Sequence, residues 1–227
     1  MTLRVKICCM GSVDEAATAI RLGATAIGLV SRMPSGPGPI EEPLITEIVS
    51  SVPRTIETFL LTCETSTASI AAQQRRTGAS TLQLVDTVEA GAHRALRSEL
   101  PGVKIVQVIH VTGDDSVDEA LGVAADVDAL LLDSGNPKLT VKELGGTGRR
   151  HDWSLSRRIV DSSPVPVYLA GGLNAGNVRE AIETVRPFGV DVCSGVRTDG
   201  RLDEGKLRAF MNAAKLGSWG GIGNRPA

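Results

Sequence analysis

Short runs of aliphatic and β-branched residues alternate along this chain with longer stretches whose apolar positions recur every three to four residues. The short runs are Leu3–Cys8, Thr25–Val30, Thr55–Leu61, Thr81–Leu84, Lys104–Ile109, Asp128–Leu132, Val165–Leu169 and Val190–Cys193. Each is followed by a stretch of helical period: Val13–Leu22, Glu42–Val52, Ser66–Thr77, Val88–Arg97, Ser116–Val123, Asp152–Asp161, Asn177–Val185 and Gly205–Leu216. Eight strand–helix units of about 28 residues each argue for a closed parallel sheet rather than an open one. The prediction is a single (β/α)8 TIM barrel over residues 1–216, with 217–227 as a flexible tail too poor in apolar residues to pack. An open doubly wound sheet would usually carry a glycine fingerprint after its first strand, and none is present.

Alternation then sorts the strand residues into two faces. In the first strand Leu3, Val5 and Ile7 share one face and Arg4, Lys6 and Cys8 the other. With the apolar face against the helices, Lys6 and Cys8 point into the barrel and Cys8 stands at its C-terminal rim. The same reading puts Gln83, Gln107, Ala129, Leu131, Asp133, Asp191 and Cys193 inside, and turns Cys9 the other way. Strands one and eight become neighbours on closure, so Lys6 and Asp191 are expected to form a buried ion pair.

Composition narrows the partners. Twenty-four basic residues balance 26 acidic ones without long runs of either sign, which gives nucleic acid and anionic membranes no support. No apolar run approaches about 18 residues, so a soluble, cytoplasmic protein is expected. The four cysteines, Cys8, Cys9, Cys63 and Cys193, lack CxxC spacing, and the three histidines lack HxxxH spacing. No metal and no cofactor are expected, and a monomer or homodimer is the anticipated assembly.

Candidate chemistry gathers at the strand ends. The turns Ala170-Gly171-Gly172-Leu173-Asn174 and Ser194-Gly195-Val196 follow strands seven and eight, where backbone N–H groups of a barrel commonly converge on a phosphate. Gly171, Gly172, Asn174, Ser194 and Gly195 are therefore the phosphate-site candidates, although a glycine pair also fits an ordinary tight loop. Cys8 and Asp133 end opposing strands and can act as base and acid. Lys6 would lower the thiol pKa, and desolvation would raise that of the carboxyl group. A buried apolar cysteine and a strand-end aspartate are the structural alternatives. The glycine-rich, basic stretch Glu143–Trp153 reads as a flap over the mouth, or as a surface loop ending in a helix cap at Asp152.

Taken together, the segments VKIC (5–8), GATAIG (23–28), LQL (82–84), LLD (131–133), GGTG with Asp152-Trp153, AGGLN (170–174) and DVCSGV (191–196) resemble the phosphoribosylanthranilate isomerase family of tryptophan biosynthesis. The resemblance implies an Amadori rearrangement in which a ribose ring opens and a proton leaves C2′. Cys8 would be the base, Asp133 the acid, and the two glycine turns the phosphate holders of a small phosphosugar substrate. Three positions depart from the family pattern: Cys9 replaces a glycine, Val85-Asp86 replaces His-Gly, and the second loop lacks the arginine of an SPR motif. Arg32 is the candidate substitute, and Gly146 of the flap a further candidate substrate contact. Two other functions remain open: an acid–base isomerase of a different aminosugar or ketose phosphate, and a non-catalytic phosphate-ligand barrel.

Overall fold

Each predicted strand–helix unit forms, and the strands close on themselves. The computed structural model describes residues 2–136, 139–144 and 148–217. Its strands are β1 (Arg4–Ile7), β2 (Ala26–Val30), β3 (Glu57–Thr62), β4 (Thr81–Leu84), β5 (Lys104–His110), β6 (Ala129–Asp133), β7 (Val167–Leu169) and β8 (Gly189–Val192). All neighbours are parallel, and β1 pairs with both β2 and β8, which leaves the barrel without an edge. The helices are α1 (Val13–Arg21), α2 (Glu42–Ser51), α3 (Thr67–Thr77), α4 (Ala92–Glu99), α5 (Asp115–Ala124), α6 (Trp153–Ser162), α7 (Val178–Val185) and α8 (Glu204–Gly217). The tail predicted from residue 217 lies, from 218 onward, outside the described residues.

Local chemistry sets the helix ends. Ser12 caps α1 by accepting from the Glu15 N–H at 3.1 Å, and Asp152 caps α6 by accepting from Ser154 N–H at 2.8 Å. Gly78 closes α3 in the left-handed region, with its N–H on Gln74 O at 2.7 Å. Helix α4 starts at Ala92 rather than at Val88, because Gly91 takes φ 81°, which no right-handed helix can include.

Two apolar layers result. The outer one packs strand residues such as Ile7, Ile27 and Leu60 against the helices; the inner one fills the barrel with Ala26, Phe59, Val106, Leu131 and Tyr168 among others. At the N-terminal end the Tyr168 ring stands edge-on to Phe59 at 5.9 Å and to Phe188 at 5.4 Å. Gly189 makes this stack feasible, since a Cβ there would lie 2.6 Å from the Tyr168 ring.

One strand carries a correction. Val106, Val108 and His110 pair in register with Ala129, Leu131 and Asp133 and share their inward face. Gln107 therefore points out to the helices, where its Oε1 meets His93 Nε2 of α4 at 2.9 Å. Strand β5 is apolar on both faces, so alternation gave no purchase on its orientation.

After β8 the chain makes a short 3-10 turn at Ser194–Val196 and a small antiparallel hairpin, β9 (Arg197–Thr198) with β10 (Arg201–Leu202). Arg197 ties this hairpin to α1 through an ion pair with Glu15 at 2.6 Å, and also donates to the carbonyl of Cys9. Glu15 in turn accepts from the N–H groups of Gly11 and Leu202, at 2.9 and 2.8 Å. Four short segments are thereby fixed around the end of β1.

Candidate active site

A cavity opens at the C-terminal end of the barrel, where the ligand sites of this architecture lie. Cys8, Gln83, Asp133, Asp191 and Cys193 line it, together with Gly171, Gly172 and Ser194. The predicted acid–base pair and most of the two glycine turns thus meet in one space.

Beneath Cys8, Lys6 is fully buried and its Nζ lies 2.8 Å from Asp191 Oδ2, as strand closure predicted. The same ammonium sits 5.2 Å from the Phe59 ring centroid. Burial disfavours its charge, but the Asp191 carboxylate outweighs this and the pKa of Lys6 is raised. Gly28 of β2 leaves room for the group: a Cβ there would stand 2.7 Å from Cys8 Sγ and 3.0 Å from Lys6 Nζ.

The Cys8 thiol is shifted downward. A hydrogen bond from the Cys9 thiol is the largest cause, burial opposes it, and the Lys6 ammonium adds to it. Asp133 is shifted the other way, chiefly by desolvation, against the 2.7 Å hydrogen bond it accepts from Ser134 N–H and the influence of neighbouring His110. A thiol biased toward the thiolate therefore shares a cavity with a carboxyl group biased toward the acid, the division of roles that proton transfer needs.

Cys9 does not behave as alternation predicted. Its φ of 65° breaks the strand period, and the side chain returns to line the cavity, with Sγ 3.7 Å from Pro37 O. Contact with the sulfurs of Cys193 and Cys8, and then burial, push its pKa well above the ordinary thiol value. No sequence pattern marks such a reversal at a non-glycine residue.

Three segments interlock around the phosphate-site candidates. Gly171 and Gly172 both have positive φ, 82° and 65°. A Cβ on Gly171 would fall 2.9 Å from His151 Nδ1, one on Gly172 would fall 2.7 Å from Arg149 O, and one on Gly195 would fall 2.0 Å from Leu173 O. Among the described residues, none accepts the N–H of Gly171 or Gly172. Asn174 plays a narrower part: its Oδ1 accepts from Gly176 N–H at 2.8 Å, shaping the turn rather than lining the cavity. His151, which sequence reading left unassigned, has Nε2 on Ser156 Oγ at 2.7 Å and a buried Nδ1 without a partner. Burial lowers its pKa to about 4, so the ring is neutral at pH 7.

The loops over the mouth touch one another. Ser35 Oγ donates to Lys142 O at 2.6 Å, and Lys142 Nζ pairs with Asp86 at 2.5 Å. Asp86, a departure from the family pattern, is thus the anchor of this contact, while Val85 lines the cavity. Arg32 is exposed and outside the cavity lining; its carbonyl accepts from Cys63 Sγ at 3.3 Å. Gly146 lies outside the described residues. Among those described, no group of histidine, cysteine or acidic side chains is arranged to hold a metal.

Fold and site together define a (β/α)8-barrel protein whose cavity, at the C-terminal ends of its strands, holds a thiol and a carboxyl group of opposite proton affinity bias. The family model for N-(5'phosphoribosyl)anthranilate (PRA) isomerase matches residues 5–213. N-(5'-phosphoribosyl)anthranilate isomerase 2 of Methanosarcina mazei is 36% identical over 215 residues, covering 94% of this chain and 94% of its own. The crystal structure of the Thermotoga maritima phosphoribosyl anthranilate isomerase superposes with a TM-score of 0.81 at 28% identity, over 94% of this chain and 98% of that one. A further phosphoribosyl anthranilate isomerase structure, in complex with reduced 1-(o-carboxyphenylamino)-1-deoxyribulose 5-phosphate, superposes at 0.78 with 25% identity, again over 94% and 98%. The chain belongs to the N-(5'-phosphoribosyl)anthranilate isomerase family.

Proposed function

We propose that Cys8 and Asp133 carry out the isomerisation that defines this family, converting N-(5'-phosphoribosyl)anthranilate to 1-(2-carboxyphenylamino)-1-deoxyribulose 5-phosphate in tryptophan biosynthesis. The observation that carries the assignment is the opposite bias of two proton-transferring groups in one cavity, the thiol downward and the carboxyl upward.

In this reading Asp133 gives its proton to the ring oxygen as the C1′–O bond of the furanose opens, leaving an iminium at C1′. The Cys8 thiolate then removes the proton from C2′, and the resulting enolamine tautomerises to the ketose. No atom is gained or lost, and no cofactor or metal enters. The Lys6 ammonium beneath Cys8, held in place by Asp191, supplies fixed positive charge next to the thiolate, partly offset by that carboxylate, and need not move during reaction. Gly171, Gly172, Ser194 and Gly195 hold the phosphate through backbone N–H groups, and Asn174 keeps the first turn in shape. The remaining substrate contact, at the anthranilate end, falls to the β2–α2 loop, whose Met33, Ser35 and Pro37 line the cavity. The four free thiols suit a reducing compartment, consistent with a cytoplasmic enzyme.

Fluorescence change on mixing fresh phosphoribosylanthranilate with the purified protein tests the assignment. Turnover should fall by about 10²–10⁴-fold in Cys8→Ser and in Asp133→Asn, while both variants keep binding a phosphosugar product analogue. Full turnover in either variant would remove that residue from the mechanism.

A further inference from the structure

The cavity holds more sulfur than a single acid–base pair requires. Cys8 follows β1 and Cys193 follows β8, and the register of these strands, Lys6 with Asp191 and Ile7 with Val192, puts the two cysteines directly after the last cross-strand pair. The last rung of that ladder is the bond from Cys8 N–H to Val192 O, at 2.8 Å, immediately before the two cysteines. Two residues earlier the same face brings Lys6 and Asp191 into direct contact, so Cys8 and Cys193 extend from adjacent backbones into the same cavity. Adjacent strands run about 4.8 Å apart, inside the roughly 4.4–6.8 Å Cα window that a disulfide accepts. Cys9 cannot serve as well as a partner for Cys8: consecutive Cα atoms are about 3.8 Å apart, below that window. Its thiol instead touches both other sulfurs.

We propose that Cys8 and Cys193 form a hydroperoxide-responsive modification site, in which oxidised Cys8 is resolved by Cys193 as a reversible cross-strand disulfide. Cys8 sulfur attacks the peroxide, the O–O bond breaks, and a sulfenic acid forms as the departing oxygen leaves as water or alcohol. The Cys193 thiol then gives up its proton and attacks the Cys8 sulfur; the S–S bond forms, and the sulfenic oxygen leaves with that proton as water. Two thiols are oxidised and one peroxide is reduced. A thiolate-biased Cys8 in an open cavity meets the requirements of the first step, and resolution stops the sulfur before the irreversible sulfinic stage. Loss of activity on oxidation rests on the proposed role of Cys8, whereas the cross-link itself does not.

The test treats the intact protein with a small molar excess of hydrogen peroxide, alkylates the remaining thiols, and maps tryptic peptides by tandem mass spectrometry. A cross-link between the peptides spanning 7–21 and 180–197 is expected, with fragmentation assigning the bond to Cys8 and Cys9 alkylated. Dithiothreitol should remove the cross-link and restore activity in proportion. Cys193→Ser should instead accumulate Cys8 sulfinic acid that dithiothreitol cannot reverse, while Cys9→Gly should keep the cross-link. Sulfinic acid at Cys8 in the folded wild type without a cross-link, or a bond assigned to Cys9, would overturn the proposal. If Cys193→Ser does not fold, the wild-type and Cys9→Gly maps decide alone. A cross-link in a protein lacking isomerase activity would leave the modification standing and count only against the catalytic assignment.

Discussion

The two ends of the barrel are lined by the same alternating positions of the same strands, yet they treat polar groups in opposite ways. At the N-terminal end Glu57 pairs with Arg4 at 3.4 Å and with Lys104, and Arg97 pairs with Asp128 at 3.1 Å, around the stack of Phe59, Tyr168 and Phe188. At the mouth, buried polar atoms are left without partners: Gln83 Oε1, Asp191 Oδ1, His110 Nδ1 and His151 Nδ1. Native structures rarely leave such atoms unpaired, because each costs about 1–3 kcal/mol of desolvation. Thr81 Oγ1 at the lower end, Gln73 Oε1 on α3, Trp153 Nε1 and Arg197 Nε are unpartnered as well, but Gln83 and Asp191 line the cavity, where a ligand can offset the cost. Neutralised charge closes one end, and unspent bonding capacity with shifted proton affinities marks the other.

The sharpest way to break this contrast is to remove the chemistry while keeping the scaffold. Cys8→Ser should lower kcat by about 10²–10⁴-fold with an unchanged melting temperature, read by the fluorescence assay beside a thermal scan. A parallel drop in thermal stability would mean that the thiol is chiefly packing. Next in size is the buried pair between the two ends. Asp191→Asn leaves the Lys6 ammonium unpaired in the core and should cost about 3–5 kcal/mol in urea unfolding. A cost under about 1 kcal/mol would show that the pair is solvated, as surface pairs are.

A middle-sized effect belongs to Gly195. Its replacement by alanine drives a Cβ against Leu173 O and separates the two glycine turns, so under the proposed phosphate role KM for the phosphorylated substrate should rise more than kcat falls. An unchanged KM would detach this turn from phosphate binding. Smaller again is a displacement of the pH profile. The proposed mechanism requires Cys8 deprotonated and Asp133 protonated, so activity should rise with pH as the thiol ionises and fall as the carboxyl does. Cys9→Gly removes the hydrogen bond that most lowers the Cys8 pKa, and the limb governed by Cys8 should move to higher pH while the Asp133 limb stays. A profile that does not move would deny Cys9 that influence.

The smallest effect is conformational. Burial raises the Glu15 pKa, but Arg197 and the N–H groups of Leu202 and Gly11 outweigh it, and the folded value lies below the unfolded one. Such a group contributes stability fully above its unfolded pKa and loses it as pH falls through the folded pKa. Glu15→Gln should therefore cost about 1–3 kcal/mol at pH 7 and progressively less in acid, measured by urea unfolding across pH. A pH-independent cost would point to packing rather than charge.

Much of this was legible before any coordinates. Lys6 and Asp191 were paired by topology alone, because closing an eight-strand parallel sheet makes strands one and eight neighbours. Cys8, Asp133 and the Gly171-Gly172 turn followed from strand ends and turn chemistry. Gln107 was misplaced because β5 is apolar on both faces, which leaves alternation without a reference. Cys9 was misplaced because its left-handed φ is held by contacts from the β9–β10 hairpin and the β2–α2 loop. Arg197 reaches its carbonyl from 188 positions away, and a Cβ on Gly38 would stand 2.6 Å from its own.

The sequence by itself determined the units, their order, the closure and the face of most strand residues, since periods of two and 3.6 residues and turn preferences are local properties of the chain. Only the tertiary structure decided which sulfurs meet, which carboxyl group is desolvated, and which loops touch over the mouth. Those outcomes depend on distances between residues up to 188 positions apart and on the water that packing excludes, and neither is encoded in the spacing of any one segment.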